Sequence, residues 1–87
     1  MLITKQTVAE KIGAYLRHAI TLDQLVDWAE NAMMEGEFDE HDSKMLSSVV
    51  ARLGVADVKA FGLTWEDCED ALRQLGYSAR VDIASQA

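Results

Sequence analysis

"AITLDQLVDWAENAMMEG", residues 19–36, contains the clearest helix-start signal in the chain and sets the fold class. Thr21 is placed to accept the N–H three residues on, while Gln24 reaches back to the N–H of Thr21, the reciprocal arrangement of a capping box. Ile20 before the cap and Leu25 after it form a hydrophobic staple that fixes how the chain enters the helix. Beyond that start, Leu25, Val26, Ala29, Ala32 and Met33 recur at three- and four-residue spacing and mark a buried face, with Gly36 as the stop.

Working outward, the same signals recur on either side. Upstream, Thr4 or Thr7 caps a first helix whose buried side reads Val8, Ile12, Tyr15, Leu16 and Ala19, ending near His18 in a tight turn. Downstream, Met45, Leu46, Val49, Val50 and Leu53 form a third stripe closed by Gly54, with Asp39 or Asp42 as its cap. "VADVKAF", residues 55–61, predicts a helical turn or two before Gly62. Thr64 then caps a last helix whose core side is Trp65, Cys68, Ala71, Leu72 and Leu75, and Gly76 followed by Tyr77 predicts a Schellman ending with Tyr77 packed back on Leu72. The tail from Tyr77 to Ala84 alternates apolar and polar residues, which predicts a short strand beside Leu2 and Ile3. Four amphipathic helices on short connections make an all-α, compact four-helix bundle-like domain, a single domain spanning residues 1–87.

The composition agrees with that class. An 87-residue chain has room for one core, and 49% hydrophobic residues is well above a disordered composition. Proline is absent and there are five glycines, as suits helices that end on glycine. A lone Cys68 offers no internal disulfide, no run of about 18 apolar residues is available to span a membrane, and the start "MLITKQTVAEK" lacks a secretory pattern. A cytoplasmic protein is expected.

Charge is the most informative surface property. The net charge of -7 is unevenly spread: residues 1–22 carry three bases and one acid, whereas residues 23–42 carry eight acids and no base. On the second helix Asp23, Asp27, Glu30 and Met34 follow one another at steps of four, three and four, so they line one outward stripe. The connection "EGEFDEHD", residues 35–42, extends it with Glu37, Phe38 and Asp39, and Trp28 sits on the flank beside Leu25 and Ala32. An unmixed carboxylate row repels itself by a few tenths of a kcal/mol per i,i+4 pair. On the last helix Glu69 is spaced to pair with Arg73.

The simplest meaning of such a face is solubility. The more specific one is docking of a basic protein, with Met34, Phe38 and Trp28 as apolar anchors among the charges. Nucleic acid is disfavoured as a partner because the eight bases are scattered and the field is repulsive. Chemistry is poorly supported. Gly36 comes too early for a calcium loop, and Glu37, Asp39, His41 and Asp42 match no strong ligand spacing, so no metal or other cofactor is expected. Cys68 falls on an apolar helix face, where a thiol acts as a small hydrophobe rather than a nucleophile partnered by His18 or His41. No enzyme is expected.

"YLRHAITLDQLVDWAENAM", residues 15–33, resembles the opening helical hairpin of small bacterial immunity proteins of the colicin D type, in which a short helix runs into an I-[ST]-x-x-[EQ]-[FL] turn, matched here by Ile20, Thr21, Gln24 and Leu25. The resemblance implies a helical bundle that blocks a basic nuclease toxin through acidic side chains. The expectation is therefore a non-catalytic protein-binding module, with an immunity or antitoxin role as its sharpest form. A homo-oligomeric structural or regulatory domain, with Trp28, Met33, Met34 and Phe38 at a dimer interface, is the alternative.

Overall fold

The computed structural model describes residues 1–58 and 62–79. The described chain runs β1 (Leu2–Ile3), α1 (Lys5–Leu16), α2 (Leu22–Glu35), β2 (Glu37–Phe38), a 3₁₀ turn (Glu40–Asp42), α3 (Ser43–Gly54) and α4 (Trp65–Gln74). Among the described residues the fold is mostly helical, with four helices as the periodicity predicts, and it adds one short parallel strand pair that the periodicity does not show.

Three of the four described helices, α1, α2 and α4, start where a threonine hydroxyl satisfies an orphan N–H. Thr4, rather than Thr7, caps α1, accepting the Thr7 N–H at 3.1 Å. The box at α2 is closed in both directions, with Gln24 N–H on Thr21 Oγ1 at 3.2 Å and Thr21 N–H on Gln24 Oε1 at 2.8 Å. A second box opens α4, where Asp67 N–H donates to Thr64 at 3.1 Å and Thr64 N–H donates to the Asp67 carboxylate at 2.9 Å. Those bonds hold the Asp67 carboxyl below its usual 3.8, the Thr64 backbone N–H being the largest cause and Arg52 adding to it. At α3 neither candidate acts as expected. Asp39 accepts the His41 N–H and so caps the 3₁₀ turn, and Asp42 makes no capping bond.

The helix ends hold an unexpected symmetry. Gly76, at φ 87°, closes α4 in a Schellman motif: its N–H bonds Arg73 O at 3.1 Å, and the Tyr77 N–H bonds Leu72 O at 2.8 Å. The same pattern closes α1 without a glycine. His18 takes the left-handed position at φ 62°, with its N–H on Tyr15 O at 3.0 Å and the Ala19 N–H on Ala14 O at 2.8 Å. Ala19 consequently lies beyond α1 and is exposed, not part of its buried face.

Leu2–Ile3 pairs in parallel with Glu37–Phe38, in the register Leu2 to Glu37 and Ile3 to Phe38. Two helices intervene, enough chain for the crossover that parallel strands require. Gly36 ends α2 in extended backbone, φ -80° and ψ 153°, so left-handed geometry is not what it supplies. It supplies room: a Cβ there would sit 2.7 Å from Ala32 O and 2.9 Å from Ile3 Cγ1. The predicted turn at 55–61 is a hydrogen-bonded turn over residues 55–58 and otherwise lies outside the described residues, as do residues 80–84 of the predicted terminal strand; Tyr77, Ser78 and Ala79 form no strand.

The core gathers Ile3, Val8 and Ile12 from the first segment, Leu25, Ala29 and Ala32 from α2, Leu46, Val49, Val50 and Leu53 from α3, and Cys68, Leu72 and Leu75 from α4 and its end. α2 lies chiefly against α3, while α1 touches α2, α3 and α4. Each large side chain so buried is worth roughly 1.5–3 kcal/mol relative to exposure. Two expected core positions, Met33 and Trp65, are corrected, and Tyr77 beyond the end of α4 is likewise exposed. Met33 is 44% exposed, Trp65 37% and Tyr77 44%, because each stands at the edge or terminus of a helix rather than at the middle of its apolar stripe. Arg52 ties α3 to α4, its Nη2 donating to Gly62 O at 3.0 Å and to Asp67 at 3.2 Å.

Candidate docking surface

The outer side of α2 carries the charge stripe in the order the spacing gives. Asp23, Asp27, Glu30 and Met34 are all exposed, and helix rise sets Asp23 and Met34 about 16 Å apart along the axis. Met34 is the most exposed large hydrophobic residue described, at 75%. Glu35 and Glu37 continue the exposed acids past the end of the helix, and Glu40 follows on the 3₁₀ turn.

What distinguishes this face is the absence of any lysine or arginine among its own residues, 23–42, which carry eight acids. The ion pairs among the described residues are Lys5–Asp42 at 3.7 Å, Arg52–Asp67 at 3.2 Å and Arg73–Asp70 at 3.0 Å. Asp23, Asp27, Glu30, Glu35 and Glu37 take part in none of them. Asp23 in the first turn is favoured by the helix dipole, but the last turn of α2 has no base and ends on Glu35, where a carboxylate meets the negative end of the helix. A sequence selected only for stability would place lysine or arginine there.

The remaining expected site residues lie at the margin of this face. Trp28 is half-buried against the core and lies beneath Lys11, whose Nζ is 5.8 Å from the ring centroid, within cation–π range. Phe38 is packed against the core beside Ile3, and half-buried Asp39 spends its carboxylate on the His41 N–H. The structure therefore brings Asp23, Asp27, Glu30, Met34 and Glu37 into the exposed set and turns Trp28, Phe38 and Asp39 partly inward. Two contacts missing from the sequence reading, Lys5–Asp42 and Lys11 over Trp28, bind the bases of α1 to the edges of the acidic segment. On α4 the partner of Arg73 is Asp70 rather than Glu69.

Elsewhere the surface offers little chemistry. Among the described residues no three His, Cys, Asp or Glu side chains are grouped to hold a metal ion. Cys68 is fully buried, while His18 and His41 are exposed. Burial pushes the thiol from 9.0 up to about 11, with the Asp67 carboxylate adding to the rise and Arg52 opposing it. A groove of about 710 Å³ lies between α1 and α4, lined by Ala9, Gly13, Leu16, Trp65, Leu72 and Tyr77 among others. Its one carboxylate, Glu10, accepts a hydrogen bond from Gln6 at 3.1 Å. No helix among the described residues is long and apolar enough to cross a membrane.

Compared with protein-family models, curated proteins and solved structures, the chain matches none of them.

Proposed function

We propose that this protein is a non-catalytic docking module that binds a basic protein through the outer face of α2 and the start of β2. The observation that carries this reading is a run of exposed carboxylates, Asp23, Asp27, Glu30, Glu35 and Glu37, that share none of the described ion pairs, in a segment without lysine or arginine that also exposes Met34. One-signed fields of this kind raise the rate of encounter with a basic partner and repel nucleic acid, and an apolar centre in a charged rim is the usual anatomy of an interface. Met34 is the apolar anchor, with Trp28 at the edge. In its sharpest form the role is that of a bacterial, cytoplasmic immunity or antitoxin-type inhibitor of a basic toxin, in keeping with the resemblance over residues 15–33.

The test replaces Asp27 and Glu30 by lysine and compares retention of a basic protein partner from bacterial lysate at low and high salt. The wild type is expected to retain one at low salt and release it at high salt, and the variant, equally folded, to retain none. Equal retention by both forms would refute the assignment of the face.

A second reading, a homo-oligomer, is favoured by the neighbouring exposed methionines Met33 and Met34 at the end of α2. Light scattering separates the two: a dimer lost on Met34→Asp supports self-association, and a monomer supports docking of a different protein.

A further inference from the structure

We draw no further inference here: the strongest candidate, the open groove between α1 and α4 walled by Leu16, Trp65, Leu72 and Tyr77, is an apolar concavity for which nothing in the structure shows what covers it.

Discussion

Two helices end in the same hydrogen-bonded motif, one with glycine at the left-handed position and the other with histidine, so the substitutions His18→Gly and Gly76→Ala should move stability in opposite directions. At His18, φ 62° brings the Cβ toward the following carbonyl, a conformation that costs an L-residue about 1–2 kcal/mol. Glycine removes that strain but gives the unfolded chain more freedom, worth about 0.4–1 kcal/mol in the other direction. The difference leaves His18→Gly stabilising by about 0.5–1 kcal/mol. At Gly76, φ 87° and open space around a would-be Cβ mean that alanine meets backbone strain but no neighbouring atom. Gly76→Ala should therefore destabilise by about 0.5–1 kcal/mol through the same terms with signs reversed. For a domain of this size such changes shift Tm by roughly 2–8 °C, up for the first and down for the second. Urea unfolding followed by circular dichroism gives the free energies. A His18→Gly variant that is destabilised, with unchanged m-value, would overturn the assignment of strain to the α1–α2 turn.

Gly36→Ala should cost about 1–3 kcal/mol, because the added methyl meets the Ala32 carbonyl and the Ile3 side chain; chemical denaturation measures it, and a neutral result would show that Ile3 does not pass so close. The Cys68 thiol should resist alkylation at pH 8 in the folded protein and react on unfolding, as quantified by mass spectrometry. Its folded pKa of about 11 lies above the ordinary 9.0, so the stability it lends is present below pH 9 and is lost as pH rises toward 11; the Tm difference between wild type and Cys68→Ala should shrink or reverse across that window. Breaking the exposed Arg73–Asp70 pair by Arg73→Ala should change stability by no more than about 0.5 kcal/mol, since both partners are well solvated.

Helix identity and most starts were legible because they depend on neighbours in sequence: Thr21 with Gln24, Thr64 at its cap, and apolar residues every three or four positions. What escaped depends on contacts between distant segments or on weak local preference. Two-residue strands such as Leu2–Ile3 and Glu37–Phe38 are too short to show a period, so their pairing follows only once α1 and α2 are placed. His18 is only weakly marked as left-handed, because histidine, although enriched there among non-glycine residues, enters that region far less often than glycine. Trp65 and Met33 fit their helical stripes by angle, yet a residue at the end of a helix has neighbours on one side only and stays partly in water. For the candidate face, the excess of acids was plain in the sequence and the stripe on α2 followed from helical spacing. That Asp42 has a lysine partner, and that Lys11 lies over Trp28, was invisible because each joins α1 to a later segment.

The docking proposal meets its most direct test in the salt dependence of partner retention by the wild type and by the Asp27→Lys, Glu30→Lys variant, measured on folded protein from about 0.05 to 1 M salt, over which the screening length falls from more than 10 Å to about 3 Å. The expected result is a basic protein held by the wild type at low salt, released as salt rises, and never held by the variant, whose stability changes by no more than about 0.5 kcal/mol. Retention that ignores both salt and charge reversal, or no retained protein at all, would contradict it.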